Sequence, residues 1–448
     1  MSRFDRRTAL AGFLLLLFLP PHLARAAVIL NFEGFPDSTI LTNQYPGVTF
    51  TNAIILTAGI SLNEFEFPPY SGVNVASDNN GPMTLSFAST ITSFGAYFTY
   101  AEPLTIDAFN ATDAVVASAT SVFSNNEALS GDPGSSPNEL IQVSFVGGIS
   151  SVTITGDPFG GSFAMDNATY TTAGGTVPEP SSLSLCLLGV ALAVGYWLAR
   201  RGHHRIPRRA LASVSPRVGL RRTSVGSLLL AALSAAPMLF AAPSHLLGVV
   251  AATPTTAVIS TPTQVTVTAS ITDPALISNG VNLLQLNADG TTTILGTLND
   301  DGINGDAYAG DKIFTILVTL NSASSSQIQL QVSAAFKGSL LRVKSSVINV
   351  FFQPADAPQQ AVKALAQHLA AGNTSAAQNY VNPSYSLSAL SRQGQGVIAS
   401  ILNASVLVTS QNDLRIFQAP FTTPSGAAST LEFTMIPGTD GQWIVTTW

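Results

Sequence analysis

The densest group of candidate ligand atoms is the run Asp300-Asp301-Gly302-Ile303-Asn304-Gly305-Asp306, continuing to Gly310-Asp311. Hard cations such as calcium take about six to eight oxygen ligands, and closely spaced carboxylates on a turning backbone supply them. Counted from Asp300, Asn304, Gly305 and Asp311 fall at the fifth, sixth and twelfth positions of a calcium loop. Gly302 replaces the third-position ligand, and Asp311 replaces the bidentate glutamate. Asp300, Asp301, Asn304, Asp306 and Asp311 are therefore candidate calcium ligands. The competing reading is a polar hairpin loop in which Asp and Gly only satisfy turn geometry.

A second constellation is Glu64 and Glu66 in Asn-Glu-Phe-Glu-Phe, which on a strand would share one face. Paired carboxylates hydrolyse glycosidic bonds, and exposed strand charges are the plainer alternative. Asp37, Asp107, Asp157 and Asp166 are candidates for a structural calcium site or are solvated turn residues. Tyr70, Tyr97, Phe98, Tyr100 and Tyr170 either stack on sugar rings or fill a core. Of the five histidines, only His368 falls in a globular stretch, and it reads as a helix-surface residue. The single cysteine, Cys186, lies in an apolar run, so no disulfide forms within the chain. No phosphate loop, dinucleotide fingerprint or nucleophile elbow is present, and no catalytic residue is assigned. The expectation is a non-enzymatic protein.

Charge is segregated. Between Ala26 and Ala199 there is no Lys or Arg but 14 Asp and Glu, whereas eight of the 19 basic residues crowd into Arg200 to Arg222. An acidic segment of this kind repels phosphate backbones, which excludes nucleic acid as its partner.

The elements that position these residues are mainly strands. Residues 1–26 read as a signal peptide: Arg3, Arg6 and Arg7, an apolar stretch from Ala9 to Leu19, then Ala24-Arg25-Ala26 for signal peptidase. Residues 27–176 alternate apolar and polar, as in Phe94-Gly-Ala96-Tyr-Phe98-Thr-Tyr100 and Ile141-Gln-Val143-Ser-Phe145. Turn clusters separate the strands, predicting a β-sandwich or jelly roll. Residues 177–205 hold Val177-Pro178-Glu179-Pro180-Ser181, the uncharged run Leu183 to Ala199, and then Arg200 and Arg201. This predicts a transmembrane helix with its arginines cytoplasmic and the β domain outside.

That order of parts resembles the PEP-CTERM sorting signal of exported Gram-negative bacterial proteins. The resemblance implies recognition through Pro178, Glu179 and Pro180 by exosortase, a membrane protease-transpeptidase that cuts near the Pro-Glu-Pro. The first domain is similar to the β-rich secreted domains found with this signal, through Tyr45-Pro-Gly-Val-Thr-Phe50 and Phe163-Ala-Met-Asp166-Asn-Ala-Thr-Tyr170. Such signals normally end a protein, but here a long segment follows. Residues 206–252 hold a basic linker, a second apolar run from Val225 to Ala242, and Val250-Ala251-Ala252 as a signal-peptidase-like site. Either two secreted proteins are fused, or the two apolar runs form a membrane hairpin with both globular parts outside.

Residues 253–352 alternate again, as in Val265-Thr-Val267-Thr-Ala269, predicting an immunoglobulin-like β-sandwich. The block Gly280-Val-Asn-Leu283 through Asp311-Lys-Ile-Phe314 resembles extracellular bacterial modules. Residues 353–448 form a small α+β domain. Asp356 is an N-cap with Gln359 at the capping-box position, Val362, Leu365 and Leu369 form a stripe, and Gly372 ends the helix. A second helix over 374–380 and strands at 405–409, 429–436 and 442–447 are similar to a nuclear-transport-factor-2-like cone. Such a cone either holds a ligand in a pocket lined by Tyr380, Tyr385 and Trp443 or serves as a plain dimerisation or packing module, which is the leading reading.

Together these features predict an exported, membrane-anchored or exosortase-processed surface or extracellular-matrix protein that binds carbohydrate or envelope components. The alternatives are a carboxylate-dependent glycan hydrolase in the first domain, or a small-ligand-binding envelope protein through the C-terminal domain.

Overall fold

The computed structural model describes residues 25–176 and 245–448. Residues 25–176 form one continuous ten-stranded sheet rather than two separately hydrogen-bonded ones. Its spine is three long strands, Met83–Tyr100, Glu139–Thr155 and Gly160–Thr176, paired antiparallel. Their registers shift at several points, such as between Ser86 and Ile91. Bulges of this kind bend a strand, so each long strand serves both layers around one core. The alternating residues Phe94, Ala96, Phe98 and Tyr100 enter that core with Ile141, Phe163 and Met165.

The second domain has two sheets, as expected of a sandwich. A three-stranded sheet contains Val250–Thr253, Thr263–Ser270 and Ile313–Leu320. The facing six-stranded sheet is built on Leu276–Leu286, Ser326–Phe336 and Ile348–Gln353. Val265, Val267, Leu283, Leu330, Val332 and Phe352 fill the space between them. The first strand runs through the signal-peptidase-like site expected at 250–252: residues 250–253 pair with 266–269, and Ala252 is buried in the core. His245, expected in linker, also belongs to this domain. It stacks on Phe336 at 4.5 Å and bonds Asp273 at 2.7 Å, holding that carboxyl below the usual carboxylate range.

The C-terminal domain packs helices Ala357–Ala371 and Arg392–Asn403 on a four-stranded antiparallel sheet, Val406–Gln411, Leu414–Thr422, Ala428–Pro437 and Trp443–Thr447. Val362, Leu365 and Leu369 face Phe417, Phe433 and Met435 across a filled interior. Gly372 ends the first helix in the left-handed conformation (φ 74°). Asp356 occupies the N-cap, but its side chain accepts from Gln360 Nε2 rather than from the backbone. The sequence does not announce the helix at 392–403, because Gly394 and Gly396 dilute its apolar stripe. Nor does it announce the strand at 414–422, which contains Pro420.

The expected transmembrane helix at 183–199 and the second apolar run at 225–242 lie outside the described residues. Among the described residues no helix is long and apolar enough to cross a membrane.

Candidate functional site

The loop between strands Ala53–Thr57 and Asn74–Asn79 carries most of the chemistry of the first domain. It is not the strand expected around Glu64 and Glu66. Asn63 starts a turn in which Glu66 N–H and Phe67 N–H both donate back to Asn63 O. The two glutamates therefore do not share a strand face.

Each glutamate is committed to a partner. Glu66 is fully buried. Its Oε2 accepts from Leu129 N (2.9 Å) and Ser130 N (3.1 Å), and its Oε1 from Ser130 Oγ (2.6 Å) and Gly338 N (3.0 Å). Glu64 receives Arg342 NH1 on both oxygens, at 2.8 and 3.1 Å. The Arg342 fork is seated in the second domain: Nε donates to Ser333 Oγ at 3.1 Å and NH2 to Gly280 O at 2.5 Å. Burial pulls this guanidinium down and the Glu64 charge opposes that. Charge-assisted bonds are stronger than neutral ones, and here NH1 alone bridges both carboxylate oxygens.

Around this pair the domains share backbone. Leu62 and Leu341 form an antiparallel bridge, with Asn63 N donating to Leu340 O and Arg342 N to Ser61 O, both at 2.9 Å. Asn63 Nδ2 reaches Phe336 O and Ser339 O, and Ser333 Oγ reaches Ile60 O. Leu62, Phe67, Val75 and Leu340 close a small apolar core across the joint. Beside it, Glu127 is buried with no partner for Oε1. Burial, then the Glu66 charge, pushes its carboxyl up to about 7.

The same loop ends in an aromatic platform. Tyr70 is 48% exposed and stacks on Tyr97 with ring centroids 3.6 Å apart and planes 7° from parallel. Buried Asp166, cross-strand from Tyr97, fixes the loop by accepting from Ser71 N at 2.7 Å. Asn167 Oδ1 accepts from Ser71 Oγ. Glu33 accepts from Val73 N and Asn74 N. Gly72 takes a left-handed conformation (φ 62°) that favours glycine, and a Cβ there would push the Glu33 carboxylate off Val73 N and Asn74 N. Burial raises Asp166 to about 6 against the lowering effect of the Ser71 and Asn167 N–H groups, and the Glu33 charge adds to the rise. Phe98, Tyr100 and Tyr170 are core residues.

In the second domain, carboxylate oxygens of Asp300, Asp306 and Asp311 lie within 4.8 Å of one another, the one such acidic group among the described residues. Asp300 accepts from Gly310 N and Lys312 N, Asp306 from Gly302 N, and Asp311 from Ile313 N. Asp301 is outside the group and caps Ile303 N, and Asn304 takes a left-handed turn position (φ 53°). The four aspartates of the first domain do not converge: Asp37 meets Ser61 Oγ and Lys344, Asp157 caps Phe159 N, Asp107 lies in the strand Thr105–Phe109, and Asp166 holds Ser71.

Tyr380, Tyr385 and Trp443 do not line one pocket. Tyr380 and Trp443 border a cleft of about 390 Å³, and Tyr385 borders a separate depression of about 990 Å³. His368 stacks on Tyr380 at the end of its helix. Trp443 is fixed by Nε1–H to Gln353 Oε1 (2.9 Å) beneath Arg415, and Asp413 accepts from Thr255 and Thr256, tying the third domain to the second.

Residues 176–201 match the PEP-CTERM protein-sorting motif. The chain carries a PEP-CTERM sorting signal. The motif implies export, anchoring at the cell envelope and processing by exosortase. Pro178, Glu179, Pro180, Arg200 and Arg201 of the PEP-CTERM segment lie outside the described residues, as does Ala24, while Ala26 falls in the strand Arg25–Leu30. No curated protein matches the chain. Among solved structures, a beta-1,2-glucanase from Parabacteroides distasonis is 8% identical, with 75% of this chain and 42% of that one covered and a TM-score of 0.16. The chain thus spans under half the glucanase's length. A DUF4785 family protein from Legionella pneumophila is also 8% identical, with 94% and 81% covered and a TM-score of 0.18. At these scores neither likeness bears on fold or activity.

Proposed function

We propose that this is a non-enzymatic surface or extracellular-matrix protein of a Gram-negative bacterium, delivered by its PEP-CTERM signal, whose first domain binds envelope or matrix polysaccharide. The match at 176–201 carries the address. The exposed Tyr70–Tyr97 stack supports the binding, because a flat, rigid aromatic face with polar groups at its edge suits the apolar face of a sugar ring. Asp166 and Asn167 fix that face through Ser71.

The hydrolase alternative draws less support, because Glu64 is paired with Arg342 and Glu66 accepts four hydrogen bonds. A glycan array and a polysaccharide pull-down with the full chain test the proposal. Retention that falls on Tyr70→Ala supports it, and no retention on any glycan counts against it.

A further inference from the structure

We infer that residues 28–173 and 245–448 stay bound to each other after the chain is cut at the sorting motif, so that a cut near Pro178 does not by itself release the first domain. Both segments belong to a single compact unit. Their contact is built as a permanent interface is. It has a backbone bridge at Leu62 and Leu341, a shared apolar core, and buried polar atoms paired across it.

Charge makes the two sides specific for each other. The first domain contains no Lys or Arg after Arg25, so Glu64 and Asp37 have no cation of their own. Arg342 and Lys344, two residues apart on the second domain, meet them at 2.8 and 3.4 Å. Glu66 needs Gly338 N for one of its four bonds, and Asn282 Nδ2 reaches Gly59 O at 3.0 Å. Separating the halves would strip Arg342 of its only carboxylate and Glu64 and Asp37 of their only cations. Gly59 N would still donate to Glu64, Thr57 N and Ser61 Oγ to Asp37, and three first-domain donors to Glu66. Losing one partner of a buried charged group costs more than the bond contributes when formed.

Two consequences follow. The joint forms only if both halves reach the same side of the membrane, so a chain that crosses once within 183–199 must return before residue 245. The second half, with whatever anchors it, then retains the first. This inference rests on the export reading for where the halves meet, but its test uses purified protein and does not depend on processing in the cell.

The full chain, with a specific protease site introduced after Ala26 and at each end of 177–244, is purified in detergent, cut, and passed over gel filtration without detergent. The cuts remove all three apolar runs, so a shared micelle cannot hold the fragments together. The expected result is co-elution of 27–176 with 245–448 in equal amounts at micromolar concentration. Arg342→Ala on one side and Glu64→Ala on the other should each weaken the complex of order a hundredfold. Separate elution of the unsubstituted fragments, whatever the variants do, overturns the inference.

Discussion

Arg342 and Glu64, 278 residues apart, form an ion pair in which NH1 bridges both carboxylate oxygens, the arginine side chain is fully buried and the glutamate is about one-quarter exposed. The pair ties the domain before the sorting motif to the domain after it. Removing one partner of a buried pair leaves the other uncompensated, at about 3–5 kcal/mol. Arg342→Ala should destabilise the full chain by an amount near the lower end of that range, because Glu64 keeps some access to water. Arg342→Met should cost less. Urea unfolding checks both, and an unchanged midpoint for Arg342→Ala would contradict this role.

Stability should fall as pH rises. Glu127 is raised from 4.5 to about 7 and Asp166 from 3.8 to about 6 in the folded protein. The native state therefore holds these protons more tightly than the unfolded chain does. Their contribution is complete below the unfolded values and is lost as pH passes through about 6 for Asp166 and about 7 for Glu127. Thermal midpoints should decline between about pH 5 and pH 8, and Glu127→Gln should flatten the upper part of that decline. A midpoint that climbs over this window would contradict the assignment.

Polysaccharide retention should depend on the tyrosine stack. Tyr70→Ala, at an exposed site, should leave the fold intact and weaken retention about tenfold, which corresponds to about 1.4 kcal/mol. Tyr70→Phe should retain most binding. Circular dichroism and affinity electrophoresis together separate lost binding from lost folding. Equal mobility of Tyr70→Ala and the unsubstituted protein would remove the platform from the account.

For the acidic loop, calcium binding predicts a rise in melting temperature with millimolar calcium that EDTA reverses. At a ligand concentration one hundred times the dissociation constant the gain is about 2.7 kcal/mol. Asp306→Asn should abolish the rise, because Asp306 is the buried member of the group. A melting temperature indifferent to both reagents would leave the loop as a turn held by its own N–H donors.

If Glu64 and Glu66 serve the joint, Glu66→Gln should reduce stability by about 1–3 kcal/mol, as expected when a buried charged acceptor is altered. No glycan should be hydrolysed by either the unsubstituted or the substituted protein. Reducing-sugar release that disappears with Glu66→Gln would revive the hydrolase reading.

Much of the β architecture was legible because alternation reports burial directly. Phe94, Ala96, Phe98 and Tyr100 were read as one strand face and all enter the core. The Val362, Leu365 and Leu369 stripe and its Gly372 stop were equally readable. Helix 392–403 was hidden because glycines weaken a periodic signal, although Ser391 does accept from Gly394 N as an N-cap. The roles of Glu64 and Glu66 were not readable, since spacing along a chain says nothing about a partner 278 residues away. One signal did exist: a first domain with no cation of its own after Arg25 can offer its carboxylates only N–H and O–H donors, so any ion pair it makes must reach a cation elsewhere. In the sequence Tyr70 and Tyr97 look no different from the other strand aromatics, and only the fold separates that surface pair from the core rings.

The central claim is delivery to the envelope by the PEP-CTERM signal, and peptide mapping of the protein's termini from fractionated native cells tests it most directly. The account predicts envelope-associated protein with a start after Ala26, a new terminus near Pro178 to Pro180 and no cut after Ala252. Recovery of one uncut, soluble chain from the cytosol would contradict it.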